Sequence, residues 1–144
     1  MKFRILLASI VLASCAREDS PEQRVRAVIS QAEQAAEARD VGAAIELVAR
    51  DYRDSRDFDR RELRQFVHGY FVLNQWIRLL VRVDDVRFPA DELAQARVTV
   101  GMLGTRSDGA EDWDLAAEIY ELDVELVSED GEWRLRRADL RRRL

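Results

Sequence analysis

The spacing of the apolar residues changes once along this chain, near Trp76, and that change limits the folds open to it. Before Trp76 the apolar side chains recur every three or four residues, as on one face of an α-helix. After Trp76 they alternate with polar ones, which is typical of strands with one buried face. Helices followed by strands predict an α+β domain: three N-terminal helices packed on a strongly curved antiparallel sheet of about four strands.

Three capping signals predict where the helices begin. The stretch Ser20–Gln23 offers a capping serine, a proline at the first helical position and a glutamine that completes a capping box. Asp40 can cap a shorter second helix, and Asp59 with Glu62 forms a second capping box before the third. The apolar face of that third helix would consist of Leu63, Phe66, Val67, Tyr70 and Phe71.

The last two strands can be aligned, because the pair Asp130-Gly131 favours a two-residue hairpin turn. Centring the hairpin there places apolar side chains opposite apolar ones and an acid opposite a base, as cross-strand pairing prefers. The predicted pairs are Ser128 with Trp133, Leu126 with Leu135, and Glu125 with Arg136. Beyond them Arg137 would point inward opposite Val124, which predicts either a bulge or the edge of the sheet at this place.

Residues Met1–Cys15 have the features of an export signal. A positive start is followed by the nine-residue apolar run Ile5–Ala13, which is too short to span a bilayer. The run ends in Leu12-Ala13-Ser14-Cys15, which resembles the bacterial lipoprotein lipobox. That resemblance implies cleavage before Cys15, acylation of Cys15 and, because residue 16 is alanine, sorting to the outer membrane with the domain in the periplasm. The alternative is an ordinary secretory signal with a chance cysteine.

The chain would therefore consist of a signal peptide (1–14), a lipidated cysteine with a short tether (15–19) and one domain (20–144). The net charge of −5 and the envelope address argue against nucleic acid as a partner. One cysteine excludes a disulfide framework, and one histidine argues against a histidine-rich metal centre, so we predict neither metal nor cofactor.

Several short motifs follow one another in an order that resembles the nuclear transport factor 2-like superfamily, which includes SnoaL-like and ketosteroid-isomerase-like proteins. The motifs are Asp51–Asp54 after the second helix, Asp59 and Leu63 opening the third, and Gly131–Leu135 in the last hairpin. The resemblance implies a cone, in which the sheet wraps around the helices and leaves a pocket, and it makes a homodimer a candidate assembly. Members include isomerases, hydrolases, dehydratases and non-catalytic binding modules, so the fold does not decide the function.

Side chains alternate between the two faces of a strand, and this alternation leaves one pair of residues that could form an acid–base centre in such a pocket. The inward positions of the first two strands carry no ionisable group, whereas Glu118 and Tyr120 share the inward parity of Leu122 on the third. They are the candidate catalytic pair, although we favour the alternative that Glu118 lies in water at the strand end. A ligand pocket, if these side chains are not simply core, would be lined by Phe66, Tyr70, Phe71, Trp76, Glu118, Tyr120 and Trp133.

A second group of charged residues lies in the run Arg50–Arg61. Asp54 or Asp57 with Arg56 could imitate the acid and arginine pairs of some family enzymes, but we interpret the run as a solvated ion-pair surface. The sequence thus favours a non-catalytic envelope lipoprotein, held to the membrane by its lipid, that binds a small apolar ligand or a protein partner. The alternatives are a SnoaL-like isomerase or hydrolase that uses Glu118 and Tyr120, and a structural adaptor that docks through its sheet face.

Overall fold

A computed structural model describes residues 19–106 and 116–143, so the predicted signal peptide and Cys15 lie outside the described residues. The elements are α1 (Pro21–Glu37), α2 (Val41–Glu46), α3 (Arg60–Leu73), β1 (Asn74–Ala90), β2 (Leu93–Arg106), β3 (Ala116–Glu129) and β4 (Glu132–Arg143). Three helices pack on a four-stranded antiparallel sheet, which confirms the predicted fold class. Within the described part of the chain no helix is long and apolar enough to cross a membrane.

Each helix begins at the residue that the capping signals predict. Ser20 and Gln23 form a reciprocal capping box, in which each side chain accepts a hydrogen bond from the other residue's backbone N–H. Asp40 caps α2 through its side chain. Asp59 and Glu62 form the second box, with N–H to carboxylate distances of 2.8 and 2.9 Å. These caps satisfy backbone donors that would otherwise have no partner within the helix.

The strands follow one another in the order β1-β2-β3-β4, each antiparallel to the next. The last hairpin turns at Asp130 and Gly131, which both have a positive φ, of 54° and 81°. This left-handed conformation at both central residues is the one that Asp-Gly favours in a two-residue turn. The predicted pairs of Ser128 with Trp133 and of Leu126 with Leu135 are confirmed.

The predicted bulge is present, but it shifts one predicted pair. Arg136 is the extra residue, so Arg137 rather than Arg136 lies opposite Glu125. Arg136 still reaches this carboxylate, because its Nε donates to Glu125 Oε1 at 2.8 Å. After the bulge Ala138 faces Val124. The charged side chain of Arg137 is thereby kept off the apolar face of the sheet.

The main core lies between α1 and the inner face of the sheet, which is the face that carries the apolar residues of the alternating strand pattern. Trp133 is 4% exposed and its ring meets that of Phe88 edge-on, with the ring centres 5.9 Å apart. A smaller core lies between α2, α3 and the loop that connects them, around Ile45, Val48 and Tyr52. The buried residues of the main core are Val25, Ala94, Ala96, Val98, Val124, Leu126 and Trp133.

Other parts of the chain contact both edges of the sheet. The Glu37 carboxylate of α1 accepts the backbone N–H of Leu79 on β1, and the Arg26 side chain donates to the carbonyl of Val83. The segment Leu47–Arg53 runs beside β4 and exchanges backbone hydrogen bonds with it. This second contact holds the loop between α2 and α3 against the last strand, where it forms part of the site described next.

Candidate functional site

Beyond the core that α1 covers, the inner face of the sheet continues toward the start of β3 and the end of β4. Here Tyr70 of α3 donates its hydroxyl hydrogen to the sulfur of Met102 on β2. In the sheet, Met102 lies opposite Glu118, and Tyr120 lies opposite Arg143. We call these five residues the inner-face site.

The polar residues of the inner-face site are joined to one another. The Tyr120 hydroxyl donates to Glu118 Oε2, and Arg143 Nη2 donates to Glu118 Oε1. Both oxygens of the Glu118 carboxylate are therefore engaged, and Arg143 supplies the opposite charge. The Glu118 side chain is 30% exposed, so it lies neither in open water nor in a sealed cavity.

The phenol of Tyr120 acts as a hydrogen-bond donor in this arrangement. The hydrogen bond to Glu118, then burial and the negative charge of Glu118, raise the pKa of Tyr120 above its ordinary value, although the Arg143 charge opposes this rise. The phenol stays protonated at neutral pH, because its ordinary pKa is already near 10. Tyr120 can donate a proton in a hydrogen bond but cannot serve as a base.

Of the predicted pocket residues, the structure brings Tyr70, Glu118 and Tyr120 together. Phe66 lies one helical turn before Tyr70 on α3, where 48% of it is exposed. Sequence reasoning missed Arg143, because two extra residues in β4 move it into register with Tyr120. An uninterrupted count from the hairpin turn would have placed Arg141 there instead.

The remaining predicted pocket residues lie elsewhere. Trp133 belongs to the core under α1, and Phe71 is buried on α3. Trp76 is 41% exposed, on the opposite side of β1 from the buried Ile77. Its side chain therefore belongs to the outer face of the sheet.

A buried polar cluster lies in the loop between α2 and α3. The Asp54 side chain is fully buried and accepts hydrogen bonds from the Tyr52 hydroxyl (3.0 Å), the backbone N–H groups of Arg56 (2.9 Å) and Phe58 (3.1 Å), and the Arg56 guanidinium (2.7 and 3.2 Å). Burial raises the pKa of Asp54, but these hydrogen bonds, that of Arg56 foremost, outweigh it and hold the pKa below its ordinary value. The carboxylate is therefore ionised at neutral pH and fixes Arg56.

The interpretation of the run Arg50–Arg61 as a solvated ion-pair surface is thus wrong for Asp54. It fits Asp57, whose side chain is 85% exposed and pairs with Arg53 at 2.9 Å. The two acids differ because the backbone N–H groups of the loop close around Asp54, a contact that alternating charges in a sequence do not reveal.

The outer face of the sheet carries an open groove of about 440 Å³ lined mostly by charged side chains of both signs. Arg97 lies in it, 3.9 Å from Asp123, and its Nε is buried without a hydrogen-bond partner. Acids and arginines largely offset each other along this groove. Among residues 19–106 and 116–143, no group of three histidine, cysteine, aspartate or glutamate residues is arranged to hold a metal ion.

Neither a model of a known family nor a curated protein sequence matches this chain. Solved structures do match it. A scytalone dehydratase-like protein from Novosphingobium aromaticivorans superimposes with a TM-score of 0.72 at 14% identity, over 83% of this chain and 82% of the other. A ketosteroid isomerase-like protein from Erwinia carotovora atroseptica gives a TM-score of 0.66 at 15% identity, over 80% and 90%.

A third match carries nuclear transport factor 2 in its designation and gives a TM-score of 0.65 at 10% identity, over 84% of this chain and 99% of the other. These likenesses define the class of fold: the chain has the nuclear transport factor 2-like cone of the SnoaL-like and ketosteroid-isomerase-like proteins, as the sequence motifs predict. At such low identities the comparison carries the fold alone.

Proposed function

We propose that this protein is a lipid-anchored protein of the bacterial cell envelope that binds a small, mainly apolar ligand at the inner-face site without converting it. The observation that carries the proposal is the engagement of both Glu118 carboxylate oxygens, by Tyr120 and Arg143. A general base must accept a proton from its substrate, and two donors that already bind the Glu118 carboxylate, one of them cationic, compete with the substrate for its lone pairs. Each oxygen can still accept one further hydrogen bond. A carboxylate that is already paired on both oxygens fits the recognition of one polar group on a bound molecule.

Apolar side chains near this cluster supply the rest of the proposed ligand surface. Leu122 and Val100 continue the inner face toward the core and are partly buried against it. Leu140, opposite Leu122 on β4, is 59% exposed although its parity directs it to the inner face. Exposed apolar area beside a few fixed polar groups is the usual composition of a small-molecule site.

The proposed location rests on the lipobox Leu12-Ala13-Ser14-Cys15. Acylation of Cys15 would anchor the chain to the outer membrane, with its domain in the periplasm, since several acyl chains together give stable anchoring. The residues between Cys15 and α1 would form a tether of only a few residues. A protein partner or a second copy of the chain remains compatible with this arrangement.

Titration of the mature domain with the neutral fluorophore N-phenyl-naphthylamine tests ligand binding. Leu140→Asp, on the inner face, should weaken binding by about tenfold or more, because it places a charge on the apolar surface. Leu80→Asp is the matched control, since Leu80 is 75% exposed on the outer face, and it should bind as the wild type does. Absence of binding, or equal loss in both variants, would contradict the inner-face site.

An isomerase or hydrolase is the second candidate, because a carboxylate and a phenol do lie together on the inner face. Glu118→Gln distinguishes the two functions in a screen of isomerase and hydrolase substrates. We expect no turnover by either protein. Turnover that collapses in Glu118→Gln, with the fold retained, would show that the protein is an enzyme.

A further inference from the structure

We propose that Arg56 is a second polar contact for the same ligand, and that it selects an apolar molecule bearing one anionic oxyacid group, such as a carboxylate. This inference rests on the proposed function, because it names the class of ligand that the inner-face site takes. It depends on how Arg56 is held, where it lies and which of its donors are free.

The Arg56 guanidinium is held in one plane. Its Nη2 and Nε donate to the buried Asp54 carboxylate at 2.7 and 3.2 Å. Its central carbon lies 4.4 Å from the ring centre of Phe58 and 4.8 Å from that of Phe66. A guanidinium fixed in this way loses little freedom when a ligand binds, which favours affinity.

Arg56 lies between α3 and the edge strand β4, against Phe66, which is one helical turn before Tyr70 of the inner-face site. Phe66, against which it stacks, is four residues from Tyr70, so both side chains lie on one side of α3. The loop residue before Arg56 donates its backbone N–H to the Asp139 carboxylate of β4 at 2.7 Å. Leu140, the next residue of β4, points to the opposite side of the strand from Asp139, onto the inner face. Leu140 and Phe66 are both exposed apolar side chains.

Donors of Arg56 remain available to a ligand. The side chain is 44% exposed, and its Nη1 has no hydrogen-bond partner among the described residues. The nearby acid Asp139 is paired with Arg137, so it does not compete for Arg56. Because Asp54 offsets the charge of Arg56, selection comes from short, directional hydrogen bonds to the oxyacid group and depends only weakly on salt.

Two fluorophores that differ by one acidic group test this inference: anilinonaphthalene sulfonate and its neutral counterpart N-phenyl-naphthylamine. Arg56→Gln should weaken binding of the sulfonate by about tenfold and leave binding of the neutral probe within about twofold. Arg64→Gln is the matched control, because it removes an exposed arginine from the same part of the chain. That variant should bind both probes as the wild type does.

The outcomes separate this inference from the proposed function. If neither probe binds the wild-type domain, the proposed function fails. If both bind but the ratio of their affinities is the same in Arg56→Gln and the wild type, the inference about Arg56 is overturned while ligand binding stands. If Arg56→Gln does not fold, Arg56→Lys keeps a cation beside Asp54 and should still lower the affinity ratio several-fold, because lysine lacks the planar fork; an unchanged ratio overturns the inference.

Discussion

Asp54 and Tyr52 show how one buried carboxylate can organise a loop. Five hydrogen bonds converge on Asp54, two of them from backbone N–H groups of the turn that follows it. Burial, together with the charge and hydrogen bond of Asp54, raises the pKa of Tyr52, so its phenol stays protonated as a donor. The turn places Asp57 in the left-handed region, at a φ of 64°. Ionised Asp54 therefore stabilises the loop that presents Arg56.

Asp54→Asn should lower the free energy of unfolding by about 1.5–3 kcal/mol at pH 7, because a charged acceptor is lost from buried hydrogen bonds. The folded-state pKa of Asp54 lies below its unfolded value near 3.8, so its contribution is present above that pH and is lost as the pH falls through the folded-state pKa. The difference between variant and wild type should thus shrink on acidification. Urea melts from pH 7 down to about pH 2 measure it.

The exposed pair of Asp57 with Arg53 provides the control for this measurement. Asp57→Asn should change the unfolding free energy by less than about 1 kcal/mol, since exposed ion pairs contribute little. Equal losses in the two variants would mean that burial of Asp54 does not matter to stability.

At the scale of elements, two glycines have opposite conformational requirements. Gly131 closes the β3–β4 hairpin at a φ of 81°, a conformation that residues with a side chain rarely adopt. Gly69 lies inside α3, and a methyl group added there would meet no atom within 4 Å. The two positions therefore separate backbone strain from helix propensity.

Gly131→Ala should lower the unfolding free energy by about 1–2 kcal/mol, because alanine is strained in the left-handed region. Gly69→Ala should raise it by about 0.5–1 kcal/mol, because alanine favours the helix interior. Thermal and urea melts of both variants check the signs. A stabilised Gly131→Ala variant would refute the turn geometry.

Helix starts and the hairpin turn were predictable because their signals are local. Ser20, Asp40 and Asp59 each cap with groups no more than three residues away. A second bulge in β4 lies where its partner strand β3 passes from Glu121 to Leu122, and no local signal in the sequence predicts it. This bulge is needed to bring Arg143 opposite Tyr120. Burial of Asp54 likewise depends on how a loop packs, which short-range spacing does not encode.

At the scale of the whole molecule, the fold followed from the change in apolar spacing, because a half-buried sheet and its covering helices leave that pattern in any sequence. Strand parity also found Glu118 and Tyr120, which do meet on the inner face. The same alternation puts Trp76, next to the inward Ile77, on the outer face, so its prediction as a pocket residue went against the strand pattern. The aromatic residues alone suit either a pocket or a core, and only the register separates them.

The membrane anchor is tested on the full-length chain expressed in a Gram-negative host. Cys15→Ala should give an uncleaved precursor or a protein released from the membrane fraction, because the thiol that carries the lipid is gone. Fractionation and gel mobility, with lipid labelling of the wild type, measure this. A variant that fractionates and migrates like the wild type would contradict the lipobox prediction.

The contacts of α1 with the edge of β1 have a consequence for aggregation. Glu37 and Arg26 occupy a backbone N–H and a carbonyl that an unpaired edge would offer to a strand of another molecule. Edge protection here comes from the side chains of a helix, so it lasts only while the helix is docked. Local detachment of α1, well short of global unfolding, would open a template for intermolecular strand addition. At the β1 edge, protection against strand addition is therefore set by the docking of one helix rather than by the pairing of the strands.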